Sequence, residues 1–318
     1  MASRPVLSIV IPCFNEEEVF PLLRERTDQL IASLQGEFDV ELLFIDDGSR
    51  DRTWPMIEAY ASERPEVRGL ALSRNFGHQR ALTCGYDGCC GDVIVSMDAD
   101  LQDPPDLVHE MIAKWKQGAD VVHAVRRTRE HDSFFKRATA AAFYLVMRNA
   151  AGPYLEDNVG DFRLMSRRAL DAFKQMREEH RYIRGMVGWM GFQVDRVYFD
   201  RPARAAGVTK YPFVRMLRFA MDAVVSFSAT PLRLAYFVAL MVSGLVFGYW
   251  AFVLWRHLAG NGTLVPGWTS LLLTTTLFGC ANLICLGIMG EYIGRVYDEV
   301  KQRPLYLVKR EASGKAAK

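Results

Sequence analysis

Short apolar runs alternate with amphipathic stretches over the first 130 positions, and the alternation has two periods. Val6–Ile11, Val40–Ile45, Val67–Leu72, Val93–Ser96 and Asp120–Val125 are β-branched runs too short for helices, and they predict buried strands. Between them, apolar positions recur at helical spacing from Glu16 to about Leu34, from Thr53 to Ser62, near Gln79 to Cys90, and from Pro104 to Gln117. Strands alternating with helices in this way predict a parallel sheet covered on both faces. A later run, Asp161–Ser166, reads as a strand re-entering that sheet, and Arg181–Gly185 reads as a basic turn.

Further along, the pattern changes scale. Phe134–Met147 is apolar and alanine-rich, a helix that is either buried or laid on a bilayer surface. Phe213–Phe227 is amphipathic, with Arg215, Arg218 and Asp222 at helical spacing, and suits a membrane interface. Leu234–Trp255 and Trp268–Gly290 then run without a charge, each longer than the roughly 20 residues that cross a hydrocarbon core. A buried helical hairpin is the competing explanation. Two uninterrupted runs with tryptophans at their ends favour the membrane.

The division expected is an α/β domain over 1–210, an interfacial helix over 211–233, two spanning helices over 234–290 and a tail over 291–318. Cations crowd the segments outside the hairpin, among them Arg233, Arg295, Lys301 and Arg303, whereas the loop within it has Arg256 alone. The positive-inside rule therefore puts both termini and the α/β domain on the cytoplasmic side of a multi-pass membrane protein. The polar end, Glu311–Lys318, predicts disorder.

Composition adds exclusions. The 318 residues are 50% hydrophobic and carry a net charge of +2, which gives no sign of a nucleic-acid partner. Six cysteines lack CxxC spacing, which argues against zinc and against a disulfide framework.

Candidate chemistry gathers where strands end. Ligands of parallel sheets bind at the carboxyl ends of the strands, and that rule brings Asn15, Asp46, Asp47, Asp98, Asp100 and Arg126 to one rim. Asp98 and Asp100, one residue apart after a buried strand, suit a divalent cation whose other positions go to phosphate oxygens, and Gln102 adds a hard oxygen. The sequence Arg201–Tyr211 holds a glycine, a hydroxyl and three cations, a weak phosphate-binding signal when taken alone.

Together, Ile9–Glu16, Ile45–Thr53, Asp98–Pro104 and Gly207–Tyr211 resemble family 2, GT-A fold glycosyltransferases that load polyisoprenyl phosphates. Dolichol-phosphate mannose synthase and the bacterial undecaprenyl-phosphate glucosyl and aminoarabinosyl transferases belong to that group. The ending, from Gly290 to Tyr306, is similar to the bacterial two-helix members.

The resemblance implies a GT-A domain with a C-terminal two-helix transmembrane hairpin and interfacial helices, in a bacterial inner membrane. It implies inverting transfer from a nucleotide sugar to undecaprenyl phosphate on the cytoplasmic face. By motif, Pro12, Asn15, Glu16, Asp46 and Asp47 would hold the nucleoside. Asp98, Asp100 and Gln102 would hold Mg²⁺ or Mn²⁺. Arg126, Arg204 and Lys210 would face phosphates, with Arg137 and Thr209 beside the lipid phosphate.

Asp161 stands where relatives are assigned a base. A phosphate monoester is largely a dianion at neutral pH, so orientation of a sugar or an arginine is the expected role here. Uridine, and glucose as the sugar, follow from the bacterial look-alikes alone. Exposed interfacial helices favour self-association. A processive polysaccharide synthase is disfavoured because no Gln-x-x-Arg-Trp string occurs. A non-catalytic scaffold is disfavoured by the intact acids at 98 and 100.

Overall fold

Val6–Cys13 (β1) sits centrally because its residues are buried almost without interruption. It pairs in parallel with Asp39–Asp46 (β2) on one side and with Val93–Ser96 (β4) on the other. In this computed structural model, which describes residues 4–127, 159–200, 230–259 and 267–314, eight strands form one sheet. Val67–Leu72 (β3), Val121–Arg126 (β5), Val159–Ser166 (β6), Val194–Phe199 (β7) and Val308–Ser313 (β8) complete the order β7-β5-β6-β4-β1-β2-β3-β8.

The sheet is mixed rather than wholly parallel. β6 runs antiparallel to both β4 and β5, and β8 runs antiparallel to β3. β1, β2, β4 and β5 therefore end on one rim, while β6 begins there. This geometry carries Asp161 back to the acids of the other strands.

Alternation along the strands supplies two apolar faces. Leu7, Ile9 and Ile11 belong to a core with Phe20–Leu34 (α1), Thr53–Glu63 (α2) and Leu107–Lys116 (α4), in which Phe20, Phe44 and Tyr60 pack ring against ring. Val10 points the other way, towards His78–Gly88 (α3). There Gly85 lets the helix approach so closely that a Cβ would collide with the Val10 side chain. Tyr86 of α3 packs edge-on against Phe173 of Arg167–Gln175 (α5), with centroids 5.4 Å apart.

Three expectations need correction. Arg181–Gly185 is not a turn: a short helix, Ile183–Trp189 (α6), begins inside it. The acids Glu16–Glu18 precede α1, which starts at Phe20, and they belong to a loop instead. The polar end is ordered as far as β8, because β3 would otherwise present an open row of backbone donors and acceptors. Leu305 is buried, the Leu307 carbonyl accepts from the Ser73 N–H, and Tyr306 Oη donates to Asp87 Oδ2 at 2.9 Å. A run of charged residues thus becomes a strand, since backbone pairing needs little help from its side chains.

The chain forms two compact units, residues 1–216 with 304–318, and residues 217–303. The second holds Thr230–Leu258 (α7) and Trp268–Val300 (α8), and Ala235–Arg256 and Thr274–Val300 are long and apolar enough to cross a membrane. Phe247, Leu258 and Leu283 are 78%, 77% and 71% exposed, so the described residues leave a large apolar surface on the hairpin, as a membrane-facing pair of helices requires. α8 continues past the charge-free run that ends at Gly290, and Glu291 pairs with Arg295 at i, i+4 along this extension. Phe134–Met147 and most of the interfacial helix expected over 211–233 lie outside the described residues.

Removing residues 308–318 should lower the thermal unfolding midpoint of the purified full-length protein and promote aggregation through the bare β3 edge. Scanning fluorimetry with light scattering checks this. An unchanged midpoint would mean that β8 contributes nothing to the sheet.

Candidate active site

The loops after β1 and β2 hold each other. Asn15 N–H donates to Ser49 Oγ at 2.9 Å, and Asn15 Oδ1 accepts from Arg50 N–H at 2.9 Å. Glu16 N–H donates to Thr53 Oγ1, and Glu17 N–H to Asp51 Oδ2. Asn15 adopts φ +56°, a conformation that asparagine tolerates better than most residues.

Gly48, at φ +70°, is required for a second reason. A Cβ there would fall 2.5 Å from the Arg74 carbonyl carbon. Of the predicted nucleoside group, Pro12 and Asp46 lie at the ends of β1 and β2, and Asn15, Glu16 and Asp47 lie in the braced pair of loops that follows.

Asp47 supplies much of the bracing. Its two oxygens accept from Phe76 N–H at 2.7 Å and Gly77 N–H at 2.9 Å. Asp46 accepts from Ser49 N–H at 3.3 Å. Burial raises the carboxyl pKa of both above the ordinary aspartate value, and these backbone donors oppose the rise.

Past β4 the chain turns sharply, with Leu101 at φ +56° and Gln102 N–H donating to Asp100 Oδ1. Asp98 Oδ1, Gln102 Oε1 and Asp103 Oδ1 are all sealed from solvent without a hydrogen-bond partner. Buried acceptors left in this condition are costly, and a hard cation would satisfy them. Among the described residues no three His, Cys, Asp or Glu side chains form a cage for a metal on their own. The donor set fits a cation that draws its remaining oxygens from a bound diphosphate.

Burial, reinforced by the negative charges of Asp161 and Asp100, raises the Asp98 pKa against the opposing pull of His78. Asp103 is pushed up to about 7, chiefly by burial and then by the charge of Asp98. Arg126 lies 3.9 Å from Asp103 Oδ1, and its Nε is buried without a partner. It reaches the rim where expected.

Asp161 is surrounded by cations. Oδ1 accepts from Arg163 Nη2 at 3.0 Å and Arg184 Nε at 3.2 Å, while Oδ2 accepts from Arg184 Nη2 at 3.1 Å and stands 3.2 Å from His78 Nε2. Burial works to raise its pKa, but the His78 hydrogen bond and the charges of Arg184 and Arg163 hold it well below the carboxylate range. Of the arginines close to Asp161 in sequence, Arg163 is found there. Arg167 meets Asp171 and Arg168 meets Asp120 instead.

His78 was not singled out in sequence, because a lone histidine after a glycine carries no signal. Its pKa is raised: burial opposes the charge, and Asp161 and Asp98 outweigh burial. Arg137, Arg204, Thr209 and Lys210 lie outside the described residues.

Asp161→Asn should destabilise the fold by about 3 to 5 kcal/mol, since Arg163 is fully buried and would lose its counter-charge. Arg163→Met added to it should recover much of that loss. A carboxyl held below its unfolded pKa, about 3.9, stabilises at all higher pH and loses that contribution only in strong acid. The penalty for Asp161→Asn, measured by unfolding, should therefore not shrink between pH 7 and pH 4.5, and should grow there, because His78, whose pKa Asp161 raises, is charged at the lower pH and loses its partner.

The model for glycosyl transferase family 2 matches residues 8–173. The chain is 43% identical over 303 residues to the uncharacterized glycosyltransferase YkcC of Bacillus subtilis (strain 168), covering 95% of this chain and 93% of that protein. It is 40% identical over 308 residues to the SfII prophage-derived bactoprenol glucosyl transferase of Shigella flexneri, covering 97% and 99%. In fold it is similar to mannosyl-3-phosphoglycerate synthase from Rubrobacter xylanophilus, at 18% identity and a TM-score of 0.50 over 72% of this chain and 74% of that one. With a matched segment spanning most of the sheet and relatives aligned nearly end to end, the chain belongs to glycosyl transferase family 2.

Proposed function

We propose that this protein transfers a hexosyl group, glucose being favoured, from a uridine diphosphate sugar to a polyisoprenyl phosphate held in a bacterial plasma membrane, with inversion at the anomeric carbon. One observation carries the reading. Sealed oxygens of Asp98, Gln102 and Asp103, the last of them 3.9 Å from the Arg126 guanidinium, lie at the sheet rim of a chain that also has two membrane-length helices. A water-soluble diphosphate donor and a lipid-held acceptor match those two features. Relatives named bactoprenol glucosyl transferases support the same substrate pair.

In this reading the loops after β1 and β2 bind the nucleoside through Pro12, Asn15, Glu16, Asp46 and Asp47. Asp98, Asp100 and Gln102 hold Mg²⁺ or Mn²⁺, which when bound neutralises the donor diphosphate. Arg126 and Arg204 face phosphate oxygens, and Arg137, Thr209 and Lys210 take the lipid phosphate. Mutual repulsion of the two phosphate groups is the main obstacle, and these cations offset it.

Asp161 takes no proton. Its pKa is too low for a base near neutral pH, and both oxygens are occupied. It holds Arg184 at the rim instead. The catalytic unit lies on the cytoplasmic side, by the excess of cations flanking the two spans.

Purified full-length protein, donor sugar nucleotide and polyisoprenyl phosphate test the reading directly, with transfer of labelled sugar to lipid as the expected result. Asp100→Asn or excess chelator should abolish it, and undiminished activity in chelator would remove the cation from the mechanism. Lys210→Ala should lose most of its rate, whereas Asp161→Asn, assayed below its unfolding temperature, should retain measurable transfer. Both parent and Asp161→Asn should keep an acid limb near the second phosphate pKa, about 6. A dead Asp161→Asn beside a nearly normal Lys210→Ala would make the carboxylate the base.

Insertion of a tag near Asn261 tests the orientation. It should be accessible from outside sealed right-side-out vesicles, with the catalytic unit protected.

A further inference from the structure

His78 stands between two carboxylates that have different duties. Its Nε2 is 3.2 Å from Asp161 Oδ2 and 3.7 Å from Asp98 Oδ1. Only the first is a hydrogen-bond distance, so the imidazole donates to Asp161. Asp98 Oδ1 keeps no hydrogen-bond partner.

The backbone leaves the ring little choice of place. Asp47 fixes Phe76 and Gly77 through their N–H groups, and Gly77, at φ +94°, starts α3 with His78 as its first residue. The next two side chains tie the same helix end to the segment that carries Arg184. Gln79 Oε1 accepts from Ile183 N–H at 3.0 Å, and Arg80 Nη2 meets Glu179 Oε2 at 2.8 Å. Three consecutive residues of α3 thus converge on the Asp161–Arg184 pair and its support.

We propose that His78 is a positioning residue for sugar transfer: its Nε2–H holds Asp161 Oδ2, which fixes the Arg184 guanidinium at the rim and leaves Asp98 Oδ1 to the donor's cation. This inference rests on the transferase reading above. The role is one of orientation, because the hydrogen bond to Asp161 selects the Nε2–H form of a neutral ring, and a charged ring carries that hydrogen as well. Asp98, Asp161 and Arg184 are the charged groups that face it.

Two substitutions separate this role from others. His78→Ala removes the donor, whereas His78→Gln keeps an amide N–H at nearly the reach of Nε2. In full-length protein, His78→Ala should lower kcat by about 10- to 100-fold, the effect of one hydrogen bond to a charged group, with the donor KM within about threefold of the parent. His78→Gln should restore most of the rate. Binding of Mn²⁺ in the presence of uridine diphosphate, read from the electron paramagnetic resonance signal of the free ion, should be unchanged in both variants.

Parent-like turnover in His78→Ala would overturn the inference. So would a His78→Gln that folds normally yet is as slow as His78→Ala, since proton transfer rather than orientation would then be the ring's task. Loss of Mn²⁺ binding alongside turnover would make His78 part of the cation site and would overturn it too. If the parent transfers no sugar to lipid phosphate, the transferase reading fails and this inference with it, an outcome distinct from a working parent beside an unimpaired alanine variant.

Discussion

A carboxylate sealed from water stays ionised only where cations surround it, and the catalytic rim is arranged around that requirement at Asp161. Its partners come from β6 itself, from α6 and from α3, the last of them 83 residues away in sequence. The Asp161 carbonyl also accepts from Ser96 Oγ at 2.6 Å, which ties the group to the end of β4 just before Asp98. One charged cluster therefore fixes the distance between the acids that suit a cation and the arginines that suit phosphate. Arg163 shows how strongly the arrangement is constrained. A fully buried guanidinium in the middle of a sheet is tolerated only with a counter-charge at hand.

The rim shows a division of labour among acids that look alike in sequence. Asp47 is engaged by backbone N–H groups and acts on the loop that starts α3. Asp98 and Asp103 keep buried oxygens without partners, which is what a site awaiting a ligand presents. Asp161 is saturated by cations. Environment separates the three roles, since the side chains are identical.

Much of this was legible in the chain. The strands through Ser96 were read within a few residues, because buried parallel strands leave continuous β-branched runs. The rim followed from the rule that ligands sit at strand ends, and that rule placed Asp46, Asp47, Asp98, Asp100 and Arg126 correctly. What escaped depends on partners distant in sequence. His78 and Arg184 acquire meaning only once α3 and α6 are folded against β6, and neither lies in a local pattern that periodicity or spacing detects. β8 escaped for a related reason. Its side chains are those of a solvated tail, and only the unpaired edge of β3 makes a strand of it.

That edge has a bearing on how the protein is made. β3 is translated before both membrane-length helices and β8 after them. The sheet emerging from a ribosome must therefore wait, with one side unpaired, until the hairpin has left the exit tunnel. Completion of the sheet is then tied in time to synthesis of the two membrane-length helices. A chain stalled before β8 would carry the rim acids in place on a sheet still open to pairing with its neighbours.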